Sequence, residues 1–155
     1  MTATATPLPM SASSLELLEP SLYLTLKANT KIPAGTLAMR IQGNDYVEPY
    51  VEGTIGTILM GVAERTYDNL GNGSAKVYPN GEPMVFRRGC MNQFKTDGTI
   101  TPEDHVMTLV GLKDNQTIGA TIASHGCSAL LVAIDKREPG VTVYRVLIDQ
   151  SGPTT

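Results

Sequence analysis

Leu22, Leu24 and Leu26 alternate with Tyr23, Thr25 and Lys27, so a strand over residues 22–27 turns one face inward and leaves the other wet or partnered. A similar alternation, or a short apolar run rich in Val, Ile, Leu and Thr, recurs over residues 37–41, 46–51, 57–66, 75–78, 84–86, 106–111, 117–123, 128–134 and 141–149. Turn signals stand between these runs, and no stretch free of both Gly and Pro exceeds twelve residues. An ordinary helix of ~10–14 residues has almost nowhere to sit. Short strands with closely spaced turns predict an all-β chain, a compact β-barrel or sandwich.

Several positions refine that expectation. Gly61 interrupts the 57–66 run, where a bulge or a close backbone contact is expected. Pro49 cannot donate to a ladder and points to an edge position for the 46–51 strand. Asn80-Gly81 between the 75–78 and 84–86 runs predicts a hairpin, and 135–140 is a hairpin-length loop between the last two strands. Thr101-Pro102-Glu103-Asp104 reads as a helical first turn, with Thr101 as N-cap and Pro102 at N1. Residues 1–20 have the composition of an extended N-terminal arm; Ser13 and Glu16 stand at capping-box spacing, so a turn or two of helix before Pro20 is an alternative to extended chain. The expected organisation is an arm over 1–20, one β domain over 21–150 and a loose tail over 151–155.

Composition narrows the partners. Charged residues make up 17% of the chain, below the ~25% usual for soluble domains. Either the surface is neutral and rich in Thr and Ser, or part of it is covered in an assembly. The net charge of −3 and the lack of a basic stripe interleaved with aromatics argue against a nucleic-acid partner. With no Trp and only two Phe and six Tyr, stacking platforms for carbohydrate are scarce. No apolar run approaches the ~18–20 residues of a membrane span. Residues 1–10 hold no Lys or Arg and no apolar run of seven, so a cleavable export signal is not expected.

The candidate chemistry is thin. Ser124, His125 and Cys127 lie close in sequence, but strand neighbours point to opposite faces, and a base must face its nucleophile within ~3 Å. A turn histidine is the expectation. Glu103-Asp104-His105 has no second ligand at metal spacing and reads as an acidic helix start. Residues 71–76 lack the Gly-Lys-Ser/Thr ending of a phosphate loop and read as a turn. Arg87-Arg88 reads as a solvated pair, with a phosphate or a partner's carboxylate as the alternative, and Cys90 and Cys127 as buried free thiols, with a disulfide the alternative if the two are close in space. No catalytic, metal or cofactor site is expected. Leu15, Leu17, Leu18 and Leu22, near the terminus, together with Leu24, need cover. They either fold back on their own core or dock on a neighbouring subunit.

The order of motifs resembles the small bacteriophage capsid decoration, or cement, proteins. Ile32-Pro33-Ala34-Gly35-Thr36-Leu37-Ala38 is similar to their I-x-A-G-x-x-A opening, and Tyr46-Val47-Glu48-Pro49 to the segment that follows. Gly61-Val62-Ala63, then Gly73-Ser74-Ala75-Lys76-Val77, then Ile100-Thr101-Pro102-Glu103-Asp104 resemble later family strings, and two apolar strands close the pattern. The resemblance covers residues 30–149. It implies a β-barrel or β-tulip domain, a homotrimer, that binds the phage major capsid protein on the outer surface of the virion after synthesis in the host bacterial cytoplasm. It brings no catalytic residues. The arm leucines Leu15, Leu17, Leu18, Leu22 and Leu24 are then the expected contacts with capsid or with a neighbouring copy. A phage surface receptor- or glycan-binding protein is the alternative, and a small β-barrel hydrolase or isomerase using His105 or His125 a third.

Overall fold

The computed structural model describes residues 24–78, 83–89 and 91–148. The chain is almost entirely β, as the strand pattern requires. Its strands are β1 (Leu24–Leu26), β2 (Lys31–Ile32), β3 (Leu37–Ile41), β4 (Tyr46–Pro49), β5 (Thr57–Ala63), β6 (Tyr67–Asp68), β7 (Lys76–Tyr78), β8 (Phe86–Arg87) and β9 (Met91–Thr96). A single helical turn, α1 (Pro102–His105), precedes β10 (Thr108–Leu112), β11 (Thr117–Gly119), β12 (Ser128–Asp135) and β13 (Val143–Leu147).

These strands form a six-stranded curled sheet in the order β7-β1-β4-β3-β5-β8, a closed five-stranded barrel in the order β10-β11-β9-β13-β12, and a two-stranded ribbon of β2 and β6. Closure removes the exposed edges that an open sheet would present. The six-stranded sheet has a core on each face, and strict alternation along β3 shows why. Leu37 and Met39 belong to a cluster shared with the barrel residues Phe94, Val110, Ile118, Leu131 and Val146. Ala38, between them, joins Leu26, Val47, Tyr67 and Tyr78 on the opposite side.

Gly61 does what its position in the 57–66 run predicts. Ala38 pairs with Gly61 and Met39 with Leu59, so Met60 is the extra residue of a bulge. Gly61 has φ +124°, and a Cβ there would come within 2.5 Å of the Arg87 carbonyl oxygen. Only glycine allows β8 to approach β5 this closely.

Four expectations need correction. The 75–78 and 84–86 runs do not pair as a hairpin: β7 pairs with β1, and β8 pairs with β5, at opposite ends of the sheet order. Long-range ladders outweighed the local turn signal, whose Asn80-Gly81 tip lies outside the described residues. Tyr67 spans the two ends instead. Its ring meets Tyr78 edge-on at 5.4 Å and Phe86 at 5.8 Å, and its hydroxyl accepts from the Val85 amide at 2.6 Å. Second, β4 is interior rather than an edge. Its parallel partner β1 reaches only Tyr46 and Val47, so the missing N–H of Pro49 is never required on that side. Third, residues 91–96, absent from the expected strands, form β9 between β11 and β13. Fourth, Thr101 is the N-cap of α1 and Pro102 opens it, as expected, but the Thr101 hydroxyl caps no α1 amide; it donates to the Asp104 carboxylate at 2.9 Å, while His105 Nδ1 accepts from the Thr101 amide at 2.8 Å.

Candidate functional site

Most polar groups that attracted attention in the sequence serve the fold. His105 is held by Thr101 in the α1 turn, and His125 sits in a turn with φ +59°. Arg87 pairs with Glu64 at 2.6 Å. Arg88 is not merely solvated: its guanidinium donates to the carbonyls of Leu59 and Met60 and so clamps the bulge beside Gly61. The 71–76 turn is organised by buried Asn69, whose amide donates to the Lys27 and Ser74 carbonyls at 3.0 Å, and whose Oδ1 accepts from Asn72. Among the described residues no group of three or more His, Cys, Asp or Glu is placed to hold a metal ion.

Cys127 is a buried free thiol, and Cys90 lies outside the described residues. Burial pushes the Cys127 thiol above its ordinary pKa, the opposite of what a nucleophile needs. Beside it is Tyr50, also fully buried, whose hydroxyl donates to the Leu112 carbonyl at 3.1 Å and accepts from the Cys127 amide at 2.9 Å. Desolvation raises the phenol far above its ordinary pKa. Tyr50 follows β4, while Leu112 and Cys127 belong to the barrel side, so this hydroxyl ties the two sheets together. It is a structural bond with no access to solvent.

Of the leucines expected to make contacts, Leu15, Leu17, Leu18 and Leu22 lie outside the described residues. Leu24 is half-buried at the start of β1 and packs against the Tyr67 core. It also lines an apolar groove of about 380 Å³, with Met60, Met84, Val85, Phe86 and Arg88. Sequence reasoning did not join these residues, because the groove depends on β1 and β8 being brought near one another by the curl of the sheet. Its one sequence signal was the Met84-Val85-Phe86 run beside Pro83.

A second apolar surface lies outside the barrel. Leu109 pairs with Leu130, and Leu130 with Leu147, forming one row across β10, β12 and β13. Their neighbours Val110, Ala129, Leu131 and Val146 are fully buried, so the leucine row faces outward. Leu109 is 51% exposed. The signal in sequence was the absence of alternation in Leu109-Val110 and in Ala129-Leu130-Leu131: a run apolar on both faces must present one of them outside a closed barrel.

The motif strings that carry the family resemblance are joints of this architecture. The Gly35 amide donates to the Ala63 carbonyl and the Ala63 amide to the Thr36 carbonyl, both at 2.8 Å, so the Ala34-Gly35-Thr36 string is bonded to the Gly61-Val62-Ala63 string. The Ile100–Asp104 string carries the N-cap and the first three residues of the α1 turn. Comparison of the chain with protein-family models, with curated proteins and with solved structures returned no match. No helix among the described residues is long and apolar enough to cross a membrane.

Proposed function

We propose that this chain is a structural virion protein that binds the outer surface of a bacteriophage capsid and stabilises it, as a homotrimer. The observation that carries the reading is the outward row Leu109–Leu130–Leu147 on a closed barrel. A contiguous apolar stripe of this kind marks a contact surface, and a closed barrel has no free edge to offer in its place. Contact between copies through that row would account for the low charged fraction of 17%. A trimer on a repetitive lattice binds through several weak contacts at once, and avidity of this sort exceeds single-contact affinity by ~10²–10⁴. In this reading Leu15, Leu17, Leu18, Leu22 and Leu24 supply the contact with the major capsid protein or the neighbouring copy.

The test is co-sedimentation of the purified protein with undecorated, expanded heads of the phage that encodes it. Saturable binding at a fixed ratio to the major capsid protein is expected, and the ratio reports the stoichiometry. No binding at micromolar protein would reject the reading.

A further inference from the structure

The groove lined by Leu24 has an apolar floor and a cationic rim. Met60, Met84 and Phe86 form the floor; Val85, 37% exposed, and Arg88 stand at the rim. Arg88 is bonded to two carbonyls, and among the described residues no carboxylate lies within 4.0 Å of it. Arg65 reaches the Pro83 carbonyl at 3.1 Å, adding a second cation beside the same segment.

The residues just before Leu24 complement this surface. Residues 13–23 read Ser-Ser-Leu-Glu-Leu-Leu-Glu-Pro-Ser-Leu-Tyr, with four leucines, two glutamates and no Lys or Arg. The chain enters β1 at Leu24, which is itself part of the groove wall. The six residues from Leu18 to Leu24 span at most roughly 20–22 Å when extended, so the leucines are tethered within reach. A tether this short gives an effective concentration on the order of millimolar. A segment from another copy, at micromolar concentration, competes poorly against it.

We infer that this groove seats the chain's own segment 15–22, its leucines against Met60, Met84 and Phe86 and its Glu16 and Glu19 at the Arg88 rim. The inference does not rest on capsid binding; a capsid that used the same leucines would have to draw them out of the groove.

The chain contains no Trp, so Leu18→Trp in the full-length protein places a single indole in the segment. A blue-shifted emission, protected from iodide, is expected, unchanged on dilution from tens of micromolar to tens of nanomolar. Adding Val85→Glu at the exposed rim should shift the emission to that of free indole while the protein keeps its far-UV circular dichroism and a cooperative melting transition. Emission like free indole in the Leu18→Trp protein, or a blue shift that survives Val85→Glu, overturns the inference. A blue shift lost on dilution assigns the groove to a second copy and overturns it equally. In case the indole itself does not fit, the methionine methyl resonances of the unsubstituted chain give an independent reading. Leu17→Ser with Leu18→Ser should move the Met60 and Met84 signals and leave Met39, in the other core, in place. Unmoved Met60 and Met84 signals overturn the inference.

Discussion

Tyr50→Phe removes one oxygen and keeps the ring, so it isolates the two buried side-chain hydrogen bonds that Tyr50 makes from the curled sheet to the barrel. The hydroxyl lies in a fully buried site, 2.9 Å from the Cys127 amide and 3.1 Å from the Leu112 carbonyl. Without it the Cys127 N–H has no partner at that position, and a buried unsatisfied donor costs about 1–3 kcal/mol. The Leu112 carbonyl keeps a second lone pair and adds less. A loss of roughly 2–3 kcal/mol follows, since no cavity is opened. In a chain of this length that corresponds to a fall in Tm of roughly 5–10 °C. Urea denaturation and thermal melting of Tyr50→Phe measure it, with Tyr46→Phe as the control. Among the described residues the Tyr46 hydroxyl accepts only from the Asn44 side chain, at 3.2 Å in a half-buried site, so that change should stay within about 0.5 kcal/mol. Mass-mapped alkylation supplies a local readout: Cys127 should label faster in Tyr50→Phe than in the unsubstituted protein. A Tyr50→Phe effect no larger than the control, with unchanged Cys127 labelling, would refute the role of this hydroxyl as a buried tie between the sheets.

Two further predictions follow from geometry and charge. Gly61→Ala brings a Cβ within 2.5 Å of the Arg87 carbonyl at φ +124°, and should lower stability by about 3 kcal/mol or more; Gly35→Ala, at φ +78° in open space, should lose only ~1–2 kcal/mol, and equal losses in urea denaturation would remove the case for close approach. Asp135 accepts from Arg137 at 2.9 Å and lies 3.5 Å from Arg145, and these hydrogen bonds, that of the Arg137 side chain foremost, hold its carboxyl well below the usual range. The stabilisation linked to a depressed carboxylate is present above its unfolded pKa of ~3.9 and is lost as pH falls toward the folded value. Carboxyl NMR titration should find Asp135 still ionised at an acidity that protonates ordinary aspartates, and Arg137→Ala should move its midpoint up; an ordinary midpoint in the unsubstituted protein contradicts the pairing.

The strands that the sequence revealed were those with a local signal. Leu24–Leu26, Leu37–Ile41, Ser128–Asp135 and Val143–Leu147 alternate or run apolar between turn residues, and each formed a strand. The bulge at Gly61 was legible because glycine inside a β-branched run has few other uses. Met91–Thr96 was not, because only Phe94 marks its inner face: Asn92 on that face is drawn toward the curled sheet by a 2.8 Å bond from its amide to the Gly35 carbonyl. A strand whose alternate positions are Asn, Phe and Thr has no apolar period to read. The expected contacts of the arm were legible only as a need for cover. Beyond the Met84–Phe86 run the groove was not legible, since Leu24, Met60 and Phe86 are far apart in sequence and belong to three different strands.

By itself, the sequence determined the class of this protein. Frequent Gly and Pro exclude long helices, and a two-residue period commits the intervening runs to strands. The tertiary structure alone decided which strands meet. Backbone hydrogen bonding is open to any pair of strands, so partner choice rests on burying Leu37 and Met39 against the barrel and Ala38 against Tyr67 at once. That two-sided burial makes β4 interior and parts β7 from β8. The closed barrel in turn fixes which side of β10, β12 and β13 faces inward, and so leaves Leu109, Leu130 and Leu147 on its outer side.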